Sequence, residues 1–319
     1  MAAKIEILGL KTYYYAGPHV IKAVDGVNLA INAGECLGIA GESGCGKSTL
    51  ALSVLKLVMP PGRIVDGKIL FNGETDIVSL PSDELRKIRW CKIAMIFQGA
   101  LNALNPVYTI ERQIVEAITT HMECSKGEAR KRAAELIELV GLSRSNLRNY
   151  PHELSGGMKQ RALIAMALSC NPEVLIADEP TTALDVVTQA QILILLKSLQ
   201  RQRNLTLIVI SHDLSILAQI CDTIAVMYAG RIVEKADIRN IFYKPAHPYT
   251  YALINAFPSV KGPKKPLIAL SGEPPNMINL PEGCRFHPRC PKVLDICSKK
   301  EPELVEVSRG HYVACHLYK

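Results

Sequence analysis

The stretch 41–49 reads Gly41-Glu42-Ser43-Gly44-Cys45-Gly46-Lys47-Ser48-Thr49, which fits the pattern G-x-x-x-x-G-K-[ST]. The chemistry that needs this spacing is the holding of a polyphosphate. Glycines let backbone N–H groups converge on phosphate oxygens, and a helix starting at the end of the loop adds partial positive charge. In such a loop Gly41, Ser43, Gly44, Cys45, Gly46 and Thr49 line the phosphates, Lys47 reaches the β- and γ-phosphates, and the Ser48 hydroxyl ligates Mg2+. The surroundings agree: an apolar strand over 36–40 comes before, and a helix over 48–57, closed by Pro60 and Pro61, comes after.

A second apolar strand, Val174-Leu175-Ile176-Ala177, runs into two carboxylates, Asp178 and Glu179. Asp178 is placed to hold Mg2+ directly or through water. Glu179 points to the other side of the strand, where it is placed to orient and polarise an attacking water. Acids at a strand end are commonly only solvated caps; beside a phosphate loop they read as catalytic equipment.

Further motifs follow in order. Leu154-Ser155-Gly156-Gly157 precedes Met158-Lys159-Gln160-Arg161, Gln98 follows the strand 93–97, Ala183-Leu184-Asp185 follows the acids, and His212 follows the strand 205–210. Taken with the phosphate loop and the acids, this set resembles the ABC ATPases over roughly residues 4–240. The resemblance implies ATP and Mg2+ as ligands, with Ser48, Gln98 and Asp178 around the metal and Glu179, His212 and Gln98 as catalytic residues. It also implies that Ser155, Gly156 and Gly157 hold the γ-phosphate bound to an opposing subunit, and that Asp185 couples the two sites. Tyr13, Tyr14 and Tyr15 compete to stack on adenine, and family register favours Tyr14. The expected fold is α/β: a P-loop NTPase of the ABC type with a mostly parallel core sheet, an antiparallel β subdomain and a helical insertion.

The elements that must position these residues are legible as patterns. Strand-like runs occupy 5–10, 27–31, 36–40, 68–71, 93–97, 174–177, 205–210 and 224–228, several of them continuous apolar runs suited to a sheet covered on both faces. Asn72-Gly73 signals a tight turn. Between 110 and 168 the pattern turns helical. The expected organisation is a nucleotide-binding domain over 1–242, with a helical subdomain at about 100–168, and an extension over 243–319. Ten of the 19 prolines fall between Pro245 and Pro291, so the extension is expected to be irregular.

Composition excludes other classes. The 319 residues are 48% hydrophobic, which excludes intrinsic disorder, and no apolar run approaches the ~20 residues of a spanning helix. The net charge of +7 is spread out, apart from short clusters at 130–132 and 261–265, and reads as ordinary solubility. Of the ten cysteines, Cys284, Cys290, Cys297 and Cys315 crowd into the end of the chain. Four thiolates suit Zn2+ or an iron–sulfur cluster. The absence of a short C-x2-4-C knuckle, and resemblance to peptide-importer subunits, lean towards [4Fe–4S], with Zn2+ the lesser metal alternative and unliganded cysteines, buried as small apolar residues, the other reading. None of the four lies in a nucleotide motif.

The segments 98–106, which includes Gln98, Asn105 and Pro106, and 243–250, with His247-Pro248-Tyr249, resemble ATP-binding subunits of dipeptide and oligopeptide importers. Gly99-Ala100 departs from the acidic residue and proline common there. This resemblance implies an energy-coupling ATPase at the cytoplasmic face of the membrane. Its partners would be a second cassette, identical or homologous, two transmembrane permease subunits and an extracytoplasmic substrate-binding protein, with no nucleic acid. Residues 101–106 would face the permeases. The alternatives are a soluble ABC ATPase of nucleic-acid or cluster-assembly type, or an importer of nickel or oligosaccharide.

Overall fold

The computed structural model describes residues 3–99, 103–256 and 272–318. Ala100, Leu101 and Asn102 of the expected permease-facing stretch, and the basic cluster 261–265, lie outside the described residues. The strands are β1 (Ala3–Ala16), β2 (His19–Asn32), β3 (Cys36–Ala40), β4 (Gly62–Phe71), β5 (Thr75–Asp76), β6 (Ile93–Ile96), β7 (Val174–Asp178), β8 (Thr206–Ile210), β9 (Thr223–Tyr228), β10 (Arg231–Asp237), β11 (Val305–Ser308) and β12 (His311–Val313). The helices are α1 (Lys47–Val54), α2 (Ser82–Ile88), α3 (Ile110–His121), α4 (Lys126–Leu139), α5 (Gly156–Ala167), α6 (Val186–Arg203), α7 (Leu214–Ile220), α8 (Ile238–Tyr243) and α9 (Pro248–Asn255). No helix among the described residues is long and apolar enough to cross a membrane.

Chain contacts divide the molecule into two units. The first comprises mainly residues 32–36 and 79–210. In it β7 lies between β6 and β8, all three parallel, with Val174 paired to Ile93 on one side and to Thr206 on the other. Every residue of β7 and β8 is buried, as strands covered on both faces must be. Helices α3, α4 and α5 occupy the stretch that reads as helical in the sequence. Their starts are set locally: Thr109 caps α3, a Ser125–Glu128 capping box opens α4, and Ser155 caps α5.

The second unit comprises 2–31, 37–78 and 211–319. One of its sheets has the order β2-β1-β4-β5. Its β1–β4 and β4–β5 pairs are antiparallel, and Asn72 and Gly73 take positive φ of 54° and 76° in the turn after β4. In the other, β3 pairs parallel with β9, and β10, β12 and β11 continue antiparallel from β9. The helix after the phosphate loop ends at Val54, sooner than expected from the prolines, because Lys56 adopts a φ of +51°.

The extension is more regular than its prolines imply. The helix α9 starts on Pro248, where proline is tolerated at the first turn, and β11 and β12 form beyond Pro302. The extension joins a sheet of the second unit, where β12 pairs with β10, Glu234 opposite Val313. Glu234 fastens it there. This fully buried carboxylate accepts from the backbone N–H groups of Ala246 and His247 at 2.7 and 2.8 Å, and His311 Nε2 lies 2.7 Å away. Glu234→Ala strands two backbone donors, one buried and one half-buried, and an imidazole. It should cost about 3–5 kcal/mol in urea unfolding; a loss under ~1 kcal/mol, within the range of ordinary surface changes, would show the anchor to be dispensable.

Candidate nucleotide-binding site

The phosphate loop joins β3 to α1 in the second unit, and close backbone approach dictates its glycines. At Gly46, with φ +105°, a Cβ would come within 2.0 Å of the Ala23 carbonyl oxygen. At Gly41, with φ +150°, it would come within 2.2 Å of the Met227 carbonyl oxygen. Only glycine fits either place. Lys47 is buried, and its Nζ donates to the carbonyls of Gly41 and Glu42, at 2.8 Å each, and lies 3.6 Å from Cys45 Sγ. Burial raises the Cys45 thiol pKa, so this cysteine is an inert filler of the loop. Ser48 and Thr49 sit in the first turn of α1. His212 is exposed just after Ser211, whose backbone N–H donates to Ile39 at the end of β3.

Of the three tyrosines near the end of β1, two are engaged elsewhere. The Tyr13 hydroxyl donates to Asp25 at 2.5 Å, and burial followed by that bond pushes its pKa up. The Tyr15 ring lies under Arg63, 4.4 Å from guanidinium to centroid. Tyr14 pairs with Gly62, where a Cβ would meet its ring at 2.5 Å.

In the first unit the acids end β7. Asp178 is buried at 2% exposure. Glu179 adopts φ +48°, a conformation rare for a non-glycine residue, and its N–H donates to Ile210 at 3.0 Å. Its Oε2 accepts from Gln98 Nε2 at 3.2 Å and from Thr182 Oγ1 at 2.9 Å. The structure therefore brings together Gln98 and Glu179, 81 residues apart, and adds Thr182, which no sequence pattern singled out.

Ser155, exposed, caps α5 by accepting from Met158 N–H at 3.4 Å. Asp185 caps α6, accepting from the N–H groups of Val187 and Thr188 and from Thr188 Oγ1 at 2.6 Å. Those Thr188 bonds hold its carboxyl below the usual carboxylate range. Thr188 also faces α5: a Cβ at Gly157 would come within 2.5 Å of its Cγ2. Thr188 thus bonds to Asp185 and packs closely against α5 at Gly157.

With this geometry the comparisons with known proteins become decisive. The ABC transporter family profile matches residues 24–182, and that of the oligopeptide/dipeptide transporter C-terminal region matches 233–297. The oligopeptide transport ATP-binding protein AppD of Bacillus subtilis is 45% identical, covering 100% of this chain and 98% of that protein. This chain belongs to the oligopeptide/dipeptide transporter family of ABC ATPases. The dipeptide transport ATP-binding protein DppD of Escherichia coli, 45% identical over 92% of this chain and 90% of its own, agrees. Among solved structures, a dimeric ATP-binding cassette in a post-hydrolysis state with ADP and phosphate superposes with a TM-score of 0.66 and 32% identity, over 74% of this chain and 99% of that one. As an ABC ATPase, the chain binds Mg-ATP and hydrolyses it.

The tail of this ABC ATPase reaches the nucleotide machinery, which sequence reasoning missed. Arg285 and Arg289 both lie between Cys284 and Cys290. Arg285 grips Asp25 and the Ala229 carbonyl, and Arg289 bonds to Glu42 of the phosphate loop. Burial pulls the Asp25 pKa up, but the bonds from Tyr13 and Arg285 outweigh it and hold the group below its usual range. The only available signal was the placement of two arginines beside thiols.

The four tail cysteines are neighbours. Burial pushes Cys284 up to about 11 and raises Cys290 and Cys315, and each of these three also feels others of the set. The backbone helps, with Cys284 N–H donating to the Cys297 carbonyl at 2.7 Å. Among the described residues, however, no three His, Cys, Asp or Glu side chains are grouped as ligands of one metal ion. The donor set therefore has the soft sulfur chemistry of a cluster or zinc site without its closed geometry.

Gly157→Ala should cost ~1–3 kcal/mol in thermal or urea unfolding, as overpacking against Thr188 does. Thr188→Ser, which removes the crowding methyl and keeps the hydroxyl for Asp185, should recover most of it. No loss, or no recovery, would show that the two helices do not meet through this contact.

Proposed function

We propose that this chain is the energy-coupling subunit of an importer of dipeptides or oligopeptides. What carries the reading is the Gln98–Glu179–Thr182 contact at the end of a buried apolar strand, in a chain similar over its whole length to proteins named for oligopeptide or dipeptide transport. Those names favour peptides over nickel or oligosaccharide, and favour transport over a soluble nucleic-acid or cluster-assembly role. A nucleotide-binding domain over 1–242, with its helical subdomain at about 100–168, would work with the 243–319 extension as one subunit. The chain would lie peripherally on the cytoplasmic face of the membrane. It would pair with an identical or homologous cassette, two permease subunits and an extracytoplasmic binding protein.

In this reading Lys47 leaves the Gly41 and Glu42 carbonyls to meet the β- and γ-phosphates. Loop N–H groups from Gly41 to Thr49 cradle the phosphates, and Tyr14 stacks on adenine. Ser48, Asp178 and Gln98 are the residues that would hold Mg2+, and the ion would supply charge neutralisation for the phosphates. Glu179 orients and polarises the attacking water, Gln98 and Thr182 fix its carboxylate, and His212 helps hold the water against the γ-phosphate. Ser155, Gly156 and Gly157 close on the γ-phosphate of a partner cassette from the N-terminus of α5, and Asp185 couples the two sites. Positive φ at Glu179 costs stability that a merely structural acid would not need. Residues 101–106 would dock the permeases.

Glu179→Gln keeps the shape and removes the charge. Turnover should fall ~10²–10⁴-fold while ATP binding persists and ATP-bound dimer accumulates. Hydrolysis within a few-fold of wild type would remove Glu179 from this role.

For the tail the reading is a [4Fe–4S] cluster on Cys284, Cys290, Cys297 and Cys315, which rests on the soft-donor chemistry of four cysteines and on the absence of a zinc knuckle in the sequence. Anaerobically purified protein should be brown, absorb near ~400 nm and contain iron and acid-labile sulfide. Any one Cys→Ser change should bleach it. Colourless protein with stoichiometric zinc would replace the cluster by Zn2+; colourless, metal-free protein would remove both.

A further inference from the structure

Glu42 is the acidic residue of the phosphate loop. Three groups close on it. Arg289 donates from Nη1 and Nη2 to its two carboxylate oxygens at 2.8 and 3.0 Å. Its own N–H donates to the Tyr249 hydroxyl at 3.0 Å, and its carbonyl accepts from Lys47 Nζ at 2.8 Å. The Arg289 side chain is 6% exposed and that of Glu42 23%, so the pair is bidentate and largely out of water. All of these residues belong to the second unit.

The guanidinium is held from the tail side. Arg289 ends a 3₁₀ turn, His287–Arg289, that follows Phe286. The Phe286 ring packs 5.2 Å from that of Tyr228, 5.4 Å from Tyr249 and 5.6 Å from His247. Arg289 Nη1 also reaches the Tyr228 hydroxyl at 3.4 Å. An aromatic cluster and a second arginine, Arg285 on Asp25, thereby fix where Arg289 can point.

A loop that must concentrate positive potential on a polyphosphate here carries a carboxylate of its own. Without a partner, that carboxylate repels the incoming phosphates and leaves its stretch of loop loose. Paired bidentately, its charge is neutralised and its direction fixed. We propose that Arg289 is a positioning residue for ATP, and that through it the C-terminal extension sets the nucleotide affinity of the phosphate loop. The inference rests on the reading of residues 41–49 as the ATP phosphate site.

The test is equilibrium binding of ATP to the full-length chain in four forms: wild type, Arg289→Ala, Glu42→Gln and the double variant. Arg289→Ala should weaken ATP binding about tenfold, the scale of one charge-assisted hydrogen bond. Adding Glu42→Gln should bring affinity back to within about threefold of wild type, because no carboxylate is left to repel the phosphates. A merely structural role predicts no such rescue. The loss should also shrink as salt is raised, as repulsion between charges does. Unchanged affinity in Arg289→Ala, or a double variant as weak as the single one, overturns the proposal. If Arg289→Ala does not fold, Glu42→Gln alone decides: a guanidinium released from its partner should tighten ATP, and weaker binding overturns the proposal. A wild-type chain that bound no ATP would instead overturn the nucleotide reading itself.

Discussion

Backbone crowding around the phosphate loop is the constraint on which the rest of the structure turns. The Ala23 and Met227 carbonyls stand where side chains of residues 46 and 41 would have to go. This crowding makes the loop narrow, and a narrow loop aims its N–H groups inward. It also ties the loop to the strands on either side of it in sequence space: Ala23 lies in β2 and Met227 in β9. The order of those strands is thus part of the loop's shape, and so is whatever holds them, including the Arg285 grip on Asp25 two residues beyond Ala23.

The local chemistry was legible in the sequence because it is carried by contiguous residues. The phosphate loop, the strand that ends at Asp178 just before Glu179, and the helix cap at Ser155 each stand in the element that their spacing implies. Apolar strands buried on both faces were equally plain, β7 and β8 above all. At β10 the pattern failed on charge. β10 escaped notice because Arg231, Glu234 and Lys235 interrupt its apolar run, yet Glu234 faces inward and is fully buried on partners from far along the chain. The prolines correctly disfavoured long helices in the extension but said nothing of the strands beyond them.

Pairings distant in sequence were not legible at all. Glu42 and Arg289 are 247 residues apart, and no periodicity links them. Nothing in the sequence pattern marks Thr182 or Thr188, whose hydroxyls donate to Glu179 and Asp185. These hydroxyls fix the direction of carboxylates whose types alone had marked them out. A carboxylate's presence can be read from sequence, whereas its orientation depends on neighbours that only folding supplies.

The pairing of β12 with β10 has a consequence for solubility. An antiparallel strand left at the edge of a sheet offers a row of unsatisfied N–H and C=O groups to any other chain. β12 covers that side of β10, and the outermost strand becomes β11, four residues long and carrying an exposed Glu306. Short, charged margins of this kind discourage intermolecular strand addition. A cassette cut before the tail would keep its nucleotide motifs but leave the edge of β10 at Glu234 and Lys235 open to strand addition.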